Sequence, residues 1–264
     1  MGFYTCYKGE KMEKIIAITN QKGGVGKTTT AINLTACLAE QGKRILLIDA
    51  DQQGNATSSF SINKIEQEHT IYELLLGEDS IRETIITDVM PNISVIPSNI
   101  NLGAAEIELI GIPDKEFILK KEVEFVRDDY DYIIIDCPPA LNTLTLNALT
   151  TADSVIVPIQ CEYLALEGLS DLIQTINLVK ERLNPSLDLE GIVFTMYDSR
   201  TILSQNVVEE VTGHFPDKVY ETKIPRNVRL SEAPSFGQPI TVYDPKCAGA
   251  ESYRKLALEV IARK

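Results

Sequence analysis

The 264-residue chain has no apolar run near the roughly 20 residues that cross a bilayer, and it has no C-x-x-C pair. The first absence argues against a membrane span. The second, with five scattered cysteines (Cys6, Cys37, Cys137, Cys161, Cys247), argues against a disulfide framework and against a zinc site. A reducing, cytoplasmic compartment is expected. Cys37 and Cys137 lie in apolar contexts and read as small buried hydrophobes. The start, Met1 to Cys6, lacks the apolar core of a signal peptide, and Cys6 stands where the myristoylation pattern requires Ser or Thr. Repeats, low-complexity tracts and interdomain linkers are also missing. Residues 1–11 are expected to be a flexible N-terminal extension, with Met12 an alternative start and residues 12–264 a single domain.

Positive charge is scarce. The net charge is −13, which taken alone disfavours a nucleic-acid partner. The distribution qualifies this. Residues 49–131 carry 18 acidic and 6 basic side chains, whereas residues 1–48 carry 3 and 7, and residues 132–264 carry 17 and 12. One short stretch, 218–229, is basic, with Lys218, Lys223, Arg226 and Arg229 against Glu221. An acidic body with a small basic face is compatible with weak, salt-sensitive DNA binding, above all if dimerisation doubles the face. A solvated charge run is the plainer alternative.

What the chain does have is Asn20-Gln21-Lys22-Gly23-Gly24-Val25-Gly26-Lys27-Thr28-Thr29, between an apolar stretch (Ile15–Ile18) and a helix-like one (Thr30–Glu40). Strand, glycine-rich turn and helix form a phosphate cradle: backbone N–H groups converge on phosphate oxygens, and the helix N-terminus adds its positive end. Gly23, Gly24 and Gly26 allow close backbone approach. Lys27 can reach the terminal phosphates, and Thr28 can offer its hydroxyl to Mg²⁺. The usual pattern G-x-x-x-x-G-K-[ST] would place Gly at Gln21; this chain has instead a second lysine, Lys22, at the head of the loop. Two lysines exceed what one terminal phosphate needs, so one is free to serve a neighbouring subunit.

Continuous apolar runs mark buried parallel strands at Ile15–Thr19, Ile45–Ile48, Ile93–Ile96, Tyr132–Ile135, Val155–Ile159 and Gly191–Met196. Helical spacing marks Leu166–Leu183, Gln205–His214 and Glu251–Ala262. Their alternation predicts an α/β fold, a doubly wound and mostly parallel sheet flanked by helices, with ligand at the carboxyl ends of the strands. Residues 60–92 and 97–130 are the least defined. Asp136 follows one strand, and Asp49 and Asp51 follow another. In a P-loop protein such an aspartate orders Mg²⁺, a role that suits Asp136 best, with Pro138-Pro139 stiffening the next loop beside the γ-phosphate. Asp49 and Asp51 are expected to point opposite ways, one towards the metal and the other free to orient an attacking water. Helix capping and turn formation are the alternative uses of such aspartates.

The segment Lys22 to Thr30 resembles the deviant Walker A motif of the ParA/MinD ATPases. Asp49-Ala50-Asp51-Gln52-Gln53-Gly54-Asn55-Ala56-Thr57, Asp136-Cys137-Pro138-Pro139, Gln160 to Tyr163 with Ala165 to Leu169, and Ile224 to Ser235 resemble the chromosome-partitioning ParA/Soj branch. The resemblance runs from about Met12 to the end. Gln52 replaces the proline usual in that branch, a change that removes no chemical group. The resemblance implies ATP and Mg²⁺ as cofactors and a homodimer closed face to face around two nucleotides. Lys22 would be the signature lysine crossing to the partner's phosphates, Lys27 the cis lysine, Thr28 the Mg²⁺ ligand and Thr29 an α-phosphate contact. Gly23, Gly24, Val25 and Gly26 would form the cradle, with Asp49 and Asp136 on the metal. Asp51 would position the attacking water, and Pro225 and Asn227 would contact adenine. It further implies non-specific binding of double-stranded DNA through Arg200 and Arg229, release by a ParB-type centromere-binding protein that stimulates hydrolysis, and a place on the nucleoid.

A MinD-like, membrane-cycling ATPase is the principal alternative. It needs a basic amphipathic C-terminal helix. In Glu251–Lys264 the apolar face is modest, and Glu251 and Glu259 dilute the basic residues, so a packing helix and no stable membrane association are expected. A metabolic P-loop enzyme or an iron–sulfur reductase of related fold is a further alternative; a bridging cluster would need a thiol partner for Cys137, and none is evident in the sequence. A non-hydrolysing scaffold would have no use for Asp51 and Asp136.

Overall fold

The computed structural model describes residues 13–163 and 165–263. The expected extension, residues 1–11, lies outside the described residues. Seven strands form one sheet: β1 (Lys14–Ile18), β2 (Ile45–Asp49), β3 (Ile86–Met90), β4 (Ile93–Ile96), β5 (Tyr132–Asp136), β6 (Ser154–Gln160) and β7 (Asp188–Thr195). Their spatial order is β3-β4-β2-β5-β1-β6-β7. All neighbours are parallel except β3 and β4, which are antiparallel.

The apolar runs form strands because both faces of the sheet are covered, and period-two alternation sends neighbours to opposite layers. Ile15, Ala17, Leu46, Ile48, Ile133 and Ile135 enter one core; Ile16, Ile18, Ile45, Leu47 and Ile134 enter the other. Helices Thr143–Thr151 and Ala165–Arg182 bury Leu144, Leu149, Leu169, Leu172 and Ile176 in the first core. Helices Lys27–Glu40 and Ala248–Ala262 fill the second, where the Thr30 and Tyr253 hydroxyls meet at 3.2 Å.

The C-terminal helix packs as the sequence suggests: Tyr253, Leu256, Ala257 and Val260 are buried in the core. Just beyond it, the Arg263 guanidinium donates to the carbonyls of Glu190 (2.8 Å) and Val219 (2.9 Å) and lies 3.9 Å from the centre of the Tyr220 ring. Among the described residues no helix is long and apolar enough to cross a membrane.

Two parts depart from the sequence reading. Strand β3 was not foreseen, because Ile86–Met90 is a half-exposed edge with Asp88 in the left-handed region (φ 54°) rather than a continuous apolar run. Residues 60–130 also hold short helices, of which Ile71–Leu76 starts at a capping box: Thr70 Oγ1 accepts the Tyr72 N–H (3.2 Å) and the Glu73 carboxylate accepts the Thr70 N–H (2.9 Å).

Candidate active site

Parallel pairing brings the three functional segments together. Ile18, the last residue of β1, is level with Asp136, the last of β5, and Asp136 is level with Asp49, the last of β2. The glycine turn and the two acidic strand ends therefore share one edge of the sheet, where an open α/β sheet binds ligands.

The turn is braced by a side chain at its own head and by two from other strands. Asn20 Nδ2 donates to the Pro158 carbonyl (2.8 Å), and its Oδ1 accepts the Lys22 N–H (2.9 Å). Gln160 Nε2 donates to the Gly24 carbonyl (2.9 Å), and Thr195 Oγ1 donates to the Val25 carbonyl (2.7 Å). Gln160 and Thr195 close β6 and β7, and their bracing of the loop was missed at the sequence level; the only local signal was a polar residue closing each apolar run. Gly26 takes a left-handed conformation (φ 88°) and starts the helix at Lys27, three residues before the apolar pattern suggests. No side chain caps this N-terminus, and its first turn holds no acid, so its free N–H groups and dipole favour an anion.

Lys27 is buried, and its Nζ donates to the Lys22 carbonyl at 3.0 Å. Burial pulls its ammonium below the usual lysine range, opposed by attraction to Asp136 and Asp51. Thr28 and Thr29 lie in the first helical turn, partly exposed. Lys22 is exposed and ion-paired with Glu162 of the same chain. A Cβ added at Gly23 would meet nothing within 4 Å among the described residues.

The two strand-end acids differ. Asp136 is fully buried, and neither of its oxygens makes a hydrogen bond. Burial, then the nearby Asp49 charge, pushes its pKa well above the usual carboxylate range; Thr28 favours the charged form by proximity without a well-formed bond. A buried carboxylate with both oxygens unpartnered suits a cation. Among the described residues no group of three or more His, Cys, Asp or Glu could hold a metal. Mg²⁺ takes one or two carboxylates and completes its shell with phosphate and water, so it needs no such cluster.

Asp49 is committed elsewhere. Its Oδ2 accepts the Thr57 N–H (2.8 Å) and hydroxyl (2.7 Å), and its Oδ1 accepts the Asp51 N–H (3.2 Å). It thus forms the turn after β2, the alternative use of such an aspartate, and has little left to offer a metal directly. The expected divergence of Asp49 and Asp51 cannot come from strand alternation, since positions two apart share a face. β2 ends at Asp49, and a turn separates the pair. Asp51 is partly exposed, its Oδ1 accepting the Gln53 N–H at 2.9 Å.

A cleft of about 200 Å³ beside the cradle is lined by Gly26, Thr29, Met196, Pro225, Asn227 and Tyr253, among others. It joins the loop to Pro225 and Asn227, some 200 positions apart in sequence. The Tyr197 N–H donates to the Ile224 carbonyl (2.9 Å), fixing this wall to the end of β7, and Asn227 Oδ1 accepts the Arg229 N–H (2.8 Å). Arg200 and Arg229 are exposed and paired with acids. Arg200 makes two bonds to Asp198 (2.9 and 2.7 Å), and Arg229 reaches Glu232 (2.9 Å) and Asp244 (3.4 Å). The segments that carry them adjoin, the Arg226 N–H donating to the Tyr197 carbonyl at 3.3 Å.

Comparison with known proteins gives a consistent picture. A family model described as an AAA domain matches residues 13–189. The sporulation initiation inhibitor protein Soj of Bacillus subtilis is 57% identical over 251 residues, covering 95% of this chain and 99% of that protein. The chromosome partitioning protein ParA of Caulobacter vibrioides is 51% identical over 252 residues, covering 95% and 94%. A cobyrinic acid a,c-diamide synthase from Mycobacterium smegmatis, solved with ADP and magnesium, superposes with a TM-score of 0.81 at 38% identity, covering 95% and 94%. With these likenesses over nearly its whole length, and with a doubly lysine-bearing loop facing two strand-end acids, the chain belongs to the ParA/MinD family of deviant Walker A P-loop ATPases, in the branch of the ParA and Soj proteins.

Proposed function

We propose that residues 12–264 form one ATPase domain of chromosome partitioning, which binds ATP and Mg²⁺, dimerises in the ATP state and then binds DNA without sequence preference. The observation that carries this reading is Asp136: a buried carboxylate with no hydrogen bond, level with Asp49 and within electrostatic reach of Lys27 at the base of the cradle. Its relatives' names point to partitioning, and the mycobacterial structure supports the nucleotide and the ion.

In this reading the backbone from Gly23 to Gly26 and the N-terminus of helix Lys27–Glu40 hold the phosphates, and Thr29 contacts the α-phosphate. Thr28 and Asp136 hold Mg²⁺, which when bound screens the charge of the terminal phosphates. Asp49 acts behind them, through the turn. Lys27 neutralises charge in cis and Lys22 in the partner's site. Asp51 positions the attacking water. Phosphoryl transfer relies on such positioning and charge stabilisation. Pro225 and Asn227 form the wall against the base. Arg200 and Arg229 lie on adjoining exposed segments and contact DNA phosphates, placing the ATP dimer on the nucleoid in the cytoplasm. A ParB-type partner stimulates hydrolysis and releases the dimer. The burial of the C-terminal helix's apolar face supports this over a membrane-cycling role.

The test is DNA co-sedimentation with ADP, ATP and a slowly hydrolysed analogue, with and without a candidate ParB-type protein. Retention only with ATP or the analogue, and release by the partner only with ATP, is the expected result. Equal retention in every nucleotide state defeats the proposal.

A further inference from the structure

The turn after β2 is closed by a ring of buried hydrogen bonds outside the phosphate cradle. Thr57 Oγ1 donates to Asp49 Oδ2 (2.7 Å) and accepts the Ser98 N–H (2.9 Å). Ser98 Oγ donates to the Asp51 carbonyl (2.8 Å), and the Asp51 N–H donates to Asp49 Oδ1 (3.2 Å). Asp49, Thr57 and Ser98 are each fully buried. Asp51 is therefore gripped at both backbone polar groups, and its carbonyl also accepts the Gly54 N–H (2.9 Å). The ring spans two adjacent parallel strands, since Asp49 ends β2 and Ser98 lies two residues beyond β4. Packing around it is tight: a Cβ on Gly54 would come within 2.6 Å of the Ser98 carbonyl oxygen.

We infer that Asp49, Thr57 and Ser98 are positioning residues for the reaction, holding the Asp51 backbone so that its carboxylate meets the attacking water in one orientation. The inference rests on the reading of Asp51 given above. Among the described residues the Asp51 side chain bonds to the Gln53 N–H within its own turn, so its direction is set by its backbone. Its backbone is fixed by Asp49 and Ser98, and these are joined by one hydroxyl, that of Thr57. Each Thr57 and Ser98 hydroxyl donates within the ring, so neither can be replaced by a methyl without leaving an acceptor short. Small misplacements of reacting groups cost as much as about a hundredfold in rate. The Thr57 and Ser98 hydroxyls bond within the ring and not to the phosphate cradle, so nucleotide binding and dimerisation should survive their loss.

The test uses full-length Ser98→Ala and Thr57→Val, with Thr57→Ser as the conservative rescue and Asp51→Ala as reference. ATP affinity, ATP-dependent dimerisation and single-turnover hydrolysis are measured for each. Ser98→Ala and Thr57→Val are expected to bind ATP within about twofold of the parent and to dimerise, with hydrolysis slowed about tenfold or more, in the range seen when outer-shell partners are removed. Thr57→Ser should restore the rate to within about threefold of the parent, since it keeps the hydroxyl. Parental hydrolysis in Ser98→Ala, which keeps its backbone N–H and decides the matter even if Thr57→Val fails to fold, overturns the inference. So does a parallel loss of affinity, dimer and thermal stability. Parental hydrolysis in Asp51→Ala removes the underlying reading; loss there with none in Ser98→Ala removes only the positioning role.

Discussion

The Lys22 ammonium is paired with the Glu162 carboxylate of its own chain, both side chains about half exposed. If Lys22 is the residue lent to a partner's phosphates, this internal pair competes with assembly. An exposed pair is worth at most about 1 kcal/mol, a factor of about five in an equilibrium. Glu162→Gln should therefore lower the ATP concentration for half-maximal dimerisation by up to about fivefold, whereas Lys22→Gln should abolish the ATP dimer and leave nucleotide binding largely intact. Light scattering across an ATP titration checks both.

Gly23→Val separates the monomer from the dimer. Because, among the described residues, nothing beyond its chain neighbours lies within 4 Å of the added Cβ, the thermal midpoint of the nucleotide-free protein should not move. A partner closing over the same loop would meet the new side chain. Retained ATP binding with a monomeric elution profile is the expected outcome.

The Asp136 carboxyl gives a pH signature. Its folded pKa is raised, by burial first and by Asp49 second, so the folded state holds the proton more tightly than the unfolded state. Stability contributed by that proton is present at low pH and lost as pH climbs from the ordinary carboxylate range through the raised value. Asp136→Asn escapes this loss. At pH 7 and without nucleotide it should be more stable than the parent, because the amide is buried neutral without the proton uptake that the carboxyl requires. The gap should shrink as pH falls and close only towards about pH 3, below the ordinary aspartate pKa of about 3.9, where the parent carboxyl is protonated in both states. The same variant should lose Mg²⁺-dependent hydrolysis. Thermal melts across pH, without nucleotide, check the sign.

Arg200 and Arg229 each sit against an acid in the chain. If they contact DNA phosphates, replacing either by Ala removes one contact per subunit, and the slope of log affinity against log salt falls by about two. Asp198→Asn, which frees Arg200, should strengthen binding at low salt. Filter binding with the ATP-state dimer at several salt concentrations separates this from a purely internal pair, for which the slope stays constant.

Gly54→Ala probes the turn after β2. The position has φ 58°, and an added Cβ would lie 2.6 Å from the Ser98 carbonyl oxygen. Left-handed strain and overpacking together should cost about 2–5 kcal/mol, read as a lower denaturation midpoint with an unchanged denaturant slope.

The cradle and the strand ends were legible because their signals are local: glycines and lysines at fixed spacing, and an acid closing each of two apolar runs. Six of the seven strands could be read from buried runs, while β3 could not, since an edge strand with a left-handed Asp88 carries no such run. The capping boxes at Thr70–Glu73 and Ser80–Glu83 were available signals for the short helices of the middle region. The work of Asp49 was not available. Its partner Thr57 lies eight residues on and Thr57's partner Ser98 another 41, distances that only the adjacency of β2 and β4 closes. The bracing by Gln160 and Thr195 was hidden for the same reason, because each supports the loop from another strand.

Thr195 secures the cradle at the Val25 carbonyl, and two residues later Tyr197 secures the segment that holds Pro225. Both ends of the cleft are thus measured from a single ruler, the tip of β7. If Pro225 and Asn227 face the base, a nucleotide with an altered base cannot shift one end alone; whatever moves that wall also tugs the glycine loop, so base analogues should be felt in turnover as well as in affinity.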